Sequence, residues 1–273
     1  MIYYKSINTG LLMKALNFIN ELRAQGRFSF TVSEAENALG LKKVSCLNAL
    51  HRLKKDKWLV SPARGFYLIV PPEYQAYGCL PAEMFISDLM RYWGLPYYVG
   101  FLSAAQYYGA AHQKPQRFQV VTLKNRPSIH CGRVHIEFIG KKQIDTHLTR
   151  QFNTLAGTIQ VASPELLAFD LVSNPEHAAG MNNVATIFSD LIESFDEKKL
   201  AALTQYHMKL FGLQRLGWLL DYFGQETLAN ALFNALEGKT LHWVRLVSYA
   251  PYEPIERNKK WHVIVNTSLE IDE

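Results

Sequence analysis

The chain contains no run of eighteen or more apolar residues, which excludes a membrane-spanning helix. It has only three cysteines, Cys46, Cys79 and Cys131, widely spaced and odd in number. That excludes a disulfide framework or a zinc pattern, and fits a reducing cytoplasm with the thiols as packing residues or exposed groups. No long Gly/Ser/Pro or low-complexity tract interrupts it, so it is not a disordered protein. The opening MIYYKSINTG lacks the sustained apolar core of a signal peptide, so the expected location is cytoplasmic.

Catalytic motifs are missing as well. There is no phosphate-cradling GxxxxGK[ST], no GxGxxG after a strand, no GxSxG elbow and no HExxH. His130, Cys131 and His135 form a tempting cluster, but an odd separation puts the two imidazoles on opposite sides of a regular strand. Glu165 and Asp170, with Asp190 further on, resemble the acids of a metal-dependent nuclease. The first two are five residues apart, well over a quarter turn on a helix, and no strand-borne acid-x-lysine accompanies them. Glu165 in a first helical turn is also accounted for by the helix dipole. The reading is no enzyme, no metal and no cofactor.

What the chain does have is length, apolar content and a segregated charge. With 273 residues, 48% of them apolar, it can fill the cores of two domains. Residues 1–72 hold eleven Lys/Arg against four acids, a net +7, although the whole chain is only +5. Residues 73–160 are +4 and residues 161–273 are −6. Positive charge gathered at one end is what release of counterions from a polyanion favours.

Within that basic region, Thr31 to Tyr67 reads as a winged helix-turn-helix. Thr31 and Glu34 are spaced for a capping box, VSEAENAL supplies a first helix, and Gly40 ends it. KKVSCLNALHRLKKDK makes a second helix, with Val44, Leu47, Leu50 and Leu53 expected on its inward stripe. At about 100° per residue, Ser45, Asn48 and Arg52 then point away, able to address a major groove. Trp58–Val60 and Phe66–Val70 read as a hairpin wing with Arg64 at its tip. Residues 11–25 supply a backing helix, Arg27–Phe30 a short strand able to join the wing, and Pro71–Pro72 a linker.

Beyond the linker the pattern is mixed. Helices are expected at about 82–93 and 99–109, their aromatics serving as core. Strands follow at 118–123 and 133–140, joined by the basic turn Lys124–Pro127, and at 158–162. Ser163-Pro164 starts a mainly helical stretch to about 238, and strands at 241–247 and 259–266 close the chain. The expected fold class is α+β. A winged helix-turn-helix at 1–72 precedes a larger mixed α/β region at 73–273, itself subdivided near 160.

Certain words of the sequence, in this order, carry a family resemblance. RGFY (64–67), YYVGFLSAAQYYG (97–109), HQKPQRFQVVT (112–122), SPELLAFDLV (163–172) and RNKKWHVIVN (257–266) resemble the AbiE-type antitoxins. Those are bacterial and mobile-element proteins of type IV toxin–antitoxin systems, associated with phage defence. The resemblance implies an N-terminal domain that binds inverted repeats in its own promoter and represses the operon. It also implies a C-terminal domain that counters a co-encoded nucleotidyltransferase toxin without a stable complex. Carried over by position, the reader helix runs from Lys42 to Lys55, with Ser45, Asn48 and Arg52 as base or phosphate contacts and Arg64 on the wing. On the DNA-binding reading, Lys42, Lys43, Lys54, Lys55 and Arg64 are expected to hold phosphates, and Ser45, Asn48 and Arg52 to read or abut the groove. It transfers no residue for neutralisation. Two other readings stand beside it: a ligand-responsive regulator without a toxin, and a divergent nuclease.

Overall fold

A computed structural model describes residues 2–111, 115–206 and 208–270, with side chains from residue 10 onward. His112–Lys114, the start of one resemblance block, and His207, the end of one expected helix, lie outside the described residues. In chain order the elements are α1 (Ile2–Ala24), β1 (Ser29–Thr31), α2 (Val32–Leu39), α3 (Lys43–Lys55), β2 (Leu59–Ala63) and β3 (Phe66–Ile69). Then come α4 (Ile86–Trp93), β4 (Tyr97–Val99), α5 (Phe101–Ala105), β5 (Phe118–Thr122), β6 (Ile129–Cys131), β7 (Val134–Gly140), β8 (Thr149–Thr154) and β9 (Gly157–Ala162). The rest is α6 (Pro164–Ser173), α7 (Met181–Leu191), α8 (Glu197–Ala202), α9 (Leu210–Tyr222), α10 (Glu226–Ala235), β10 (Val244–Arg245), β11 (Glu256–Asn258) and β12 (Val263–Val265). The class is α+β, as expected.

Two compact units form: residues 1–97, 116–140 and 151–159 make the first, and 98–115, 141–150 and 160–273 the second. The division does not fall at Pro71–Pro72. The reason is local to the first unit, where the segment after the prolines stays on the β1–β3 sheet. Ser29 Oγ donates to Asp88 of α4 at 2.6 Å, and Phe66 packs on Tyr92 at 5.5 Å between centroids.

The start of the first unit follows from its sequence signals. Thr31 and Glu34 close the capping box of α2, and Gly40 ends that helix in the left-handed conformation at φ 62°. Burial raises the Glu34 carboxyl, but hydrogen bonds from Arg27 and Thr31 outweigh it and hold the group below its usual range. Ala15, Ile19 and Leu22 of α1, Phe30, Ala35, four residues of α3, Leu59 and Ile69 share one core. β3 lies between β1 and β2, antiparallel to both.

Three expectations need correction here. The inward stripe of α3 is Cys46, Ala49, Leu50 and Leu53, while Val44 and Leu47 face solvent. Cys46 is buried as a small apolar residue, and that sets the stripe at positions 46, 49, 50 and 53. Next, β5 and β7 are parallel neighbours, not the two arms of one hairpin. The hairpin is β6–β7, turning at Gly132, and residues 124–127 belong to a crossover. That hairpin makes His130 and His135 cross-strand partners with ring centroids 4.2 Å apart, so they do not face opposite sides. Tyr97–Val99 is a strand, and β8 is a strand that the sequence did not announce.

In the second unit, Ser163 caps α6 with Pro164 in its first turn, as expected. Almost all of α6 is buried. α9 passes so close to Trp261 that a Cβ on Gly217 would meet its ring at 2.2 Å. β12 lies between β10 and β11, parallel to the first and antiparallel to the second.

Candidate nucleic-acid interface

The outward face of α3 starts from its core face. With Cys46, Ala49, Leu50 and Leu53 buried, Lys43, Val44, Ser45, Leu47, Asn48, His51, Arg52, Lys54 and Lys55 are exposed. Lys42 stands at the N-cap in extended backbone and is exposed as well. Ser45, Asn48 and Arg52 thus face solvent, and so do the four lysines. Missed from sequence were Val44, Leu47 and His51. They lie near the centre of that face, and the apolar character of Cys46 was the signal that would have put them there.

No ion pair or side-chain hydrogen bond engages Lys42, Lys43, Arg52, Lys54, Lys55 or Arg64 among the described residues. Arg52, Lys54 and Lys55 suit the negative C-terminal end of the helix dipole, but Lys42 and Lys43 oppose its positive end. The first turn holds no acid. An anion at that end would relieve the opposition, with the free backbone N–H groups aimed at it.

The hairpin β2–β3 carries Arg64 at an exposed turn. Ser61 Oγ donates to the carbonyls of Ala63 at 2.8 Å and Phe66 at 2.9 Å, which pins the turn from inside. Tyr92 donates its hydroxyl to the Arg64 carbonyl at 3.0 Å. Gly65 has φ 78°, and a Cβ there would lie 2.7 Å from the Tyr92 hydroxyl, so turn shape and close approach both require glycine.

Beside α3, a cleft of about 390 Å³ is lined by Lys54, Lys57 and Arg133 together with Leu59, Val60 and Tyr77. Its charged lining residues are all cations. Arg133 belongs to the β6–β7 turn, where Gly132 packs against Tyr77 and Gly78 so closely that no side chain fits. Behind the turn, the buried Cys79 and Cys131 thiols meet. The shared hydrogen bond and burial push Cys79 up, whereas the same bond, with Lys54 nearby, lowers Cys131 against the effect of its burial.

The acids weighed as catalytic do not converge. Asp170 is fully buried, accepts from Tyr98 Oη at 2.7 Å and is paired with Lys141 Nζ, which also donates to Tyr98 Oη at 2.7 Å. Burial, then the charge and hydrogen bond of Asp170, push the Tyr98 phenol well up. Glu165 is also buried, but it accepts from the Asp196 backbone at 2.9 Å. His130 and His135 find no third ligand among the described residues.

The closing RNKKWHVIVN block supplies core and turns. Asn258 accepts from the Trp261 backbone, Trp261 and Lys260 donate to Asp221, and Asn266 bonds Val247 and Pro251.

Residues 98–222 match the family described as the AbiEi antitoxin C-terminal domain, and the match begins where the second unit begins. A crystal structure of the RV2827C protein from Mycobacterium tuberculosis has a similar fold. The TM-score is 0.66, with 18% identity, over 92% of this chain and 90% of that one. At that identity the likeness is one of fold. No curated protein matches the chain by sequence.

Proposed function

We propose that this chain, whose residues 98–222 match the AbiEi antitoxin C-terminal domain family, is the antitoxin and DNA-binding autorepressor of a type IV toxin–antitoxin system. Residues 1–72, read as a winged helix-turn-helix, bind inverted repeats in the chain's own promoter, and residues 73–273 counter a co-encoded nucleotidyltransferase toxin without a stable complex. The observation that carries DNA binding is the face of α3. Ser45, Asn48 and Arg52 stand exposed among cations that have no protein partner among the described residues.

The recognition helix enters a major groove with Lys42, Lys43, Lys54 and Lys55 on phosphates and Arg64 reaching the backbone from the wing. Lys57 and Arg133 at the neighbouring cleft extend the cationic track, so the basic segment after residue 72 adds phosphate contacts. Cytoplasmic location follows from this role. No helix among the described residues is long and apolar enough to cross a membrane.

The test is a mobility-shift titration of the full chain on its own upstream DNA and on a shuffled duplex of equal length. Preference for the upstream DNA, falling steeply with salt, is the expected result. Equal binding to both would remove the repressor role. The same cleft favours a second reading, a regulator that senses an anionic small ligand there. Promoter binding without any rescue of growth from the toxin would favour that reading.

A further inference from the structure

The charged and polar residues of α3 have evident uses on DNA, but Val44 and Leu47 do not follow from charge. Val44 is 72% exposed and Leu47 36%. The core side of the helix is already filled by Cys46, Ala49, Leu50 and Leu53, so packing does not ask Val44 to be apolar, and it leaves about a third of Leu47 in solvent. Helix propensity does not ask for valine either, because its branched Cβ restricts χ1 against the preceding turn. The two are three residues apart and share one face, with Asn48 one turn beyond Val44 and His51 one turn beyond Leu47. Exposed cations flank them on either side: Lys42, Lys43, Arg52, Lys54 and Lys55.

A protein partner would match that ring of cations only if it carried a rim of acids around an apolar centre. A DNA major groove presents that combination, with phosphates along its rims and, on its floor, the C5-methyl of thymine as the apolar group of the base edges. We infer that Val44 and Leu47 are specificity residues that pack against thymine methyl groups in the operator. This rests on the DNA-binding reading above and sharpens it. Asn48, in the same row, has the donor and acceptor to pair with N6 and N7 of adenine. The contacted half-site therefore contains A·T pairs oriented with thymine methyls beneath the first turns of α3.

The experiment first selects preferred duplexes from a random pool with the full chain. Each thymine of the selected site is then replaced, one at a time, by deoxyuridine, which removes only the methyl group. At one or two thymines per half-site, uracil is expected to weaken binding about 3- to 5-fold, the worth of burying one methyl-sized group. Val44→Ser should abolish the thymine–uracil difference at the thymine it packs on, with unchanged thermal melting because Val44 is 72% exposed, and Leu47→Ser should do the same for discrimination at its own thymine. If every uracil duplex binds like its parent while sequence preference persists, the inference fails and the DNA-binding reading stands. If no sequence is selected, both fail. If the serine variants change the sedimentation coefficient but not the discrimination between thymine and uracil, the patch is a protein contact and the inference is overturned.

Discussion

Helices α3 and α6 are both amphiphilic in composition, yet the molecule treats their charges in opposite ways. α6 is buried nearly all round, and its Asp170 is paired inside the protein with Lys141 and accepts a hydrogen bond from Tyr98. α3, with Lys42 at its N-cap, buries one stripe and leaves five cations, three polar residues (Ser45, Asn48 and His51) and two apolar ones in solvent. A buried charge must find its partner within the fold, because an unpaired one costs several kcal/mol. An exposed charge has no such need, so a dense unpaired set on one face marks a surface shaped by something outside the chain. The difference separates residues that hold the protein together from residues available to a polyanion.

The comparison breaks most visibly at Asp170. Asp170→Ala leaves Lys141 beside a buried phenol without its counter-charge and should lower unfolding stability by about 3–5 kcal/mol in urea titrations. A loss below about 1 kcal/mol would mean that the cluster is not structural. Arg52→Ala is the converse case. It should leave melting unchanged while weakening operator binding by about 1–3 kcal/mol if Arg52 reads a base. Equal weakening on operator and random DNA would make it a phosphate contact instead.

Gly65→Ala falls between the two, since it touches both stability and the β2–β3 turn that carries Arg64. A left-handed φ costs about 1–2 kcal/mol for a residue with a Cβ, and the Tyr92 hydroxyl must also move. Melting should drop by that amount, and operator binding should fall with it; unchanged melting would show that the turn relaxes freely.

The smallest effect concerns Glu34. Its folded carboxyl sits below the usual range, so its contribution is present at neutral pH and is lost as the pH falls through that range. Glu34→Gln should cost about 0.5 kcal/mol at neutral pH, low within the capping range because the Arg27 pair is half-exposed and screened. The gap to the parent chain should close in acid. A gap independent of pH would point to packing rather than charge.

Much of this contrast was legible in the sequence where the signals are local. The Thr31/Glu34 box, the Gly40 stop, the Ser163-Pro164 start and the segregation of charge each depend on residues a few positions apart. What failed depends on partners far along the chain. The hairpin β6–β7 was hidden because β5 takes β7 as a parallel neighbour, and parallel pairing leaves no turn to read. The compact unit runs past Pro71–Pro72 because Asp88 and Tyr92 return to the first sheet, which a proline pair cannot reveal. The phase of α3 was lost on one residue: counting Cys46 as core turns the helix and brings Val44 and Leu47 to the outside.

On the proposed function one chain carries two separable activities, promoter reading on α3 and toxin neutralisation in residues 73–273. The most direct measurement is growth rescue from the adjacent candidate toxin, with the antitoxin expressed from an unrelated promoter. The parent chain is compared with full-length Asn48→Ala/Arg52→Ala, which keeps both units whole. The double variant is expected to lose promoter binding and still restore growth as the parent does. Failure of the parent to rescue, with promoter binding intact, would contradict the antitoxin role. Loss of rescue together with DNA binding in the folded variant would contradict the separation of the two activities.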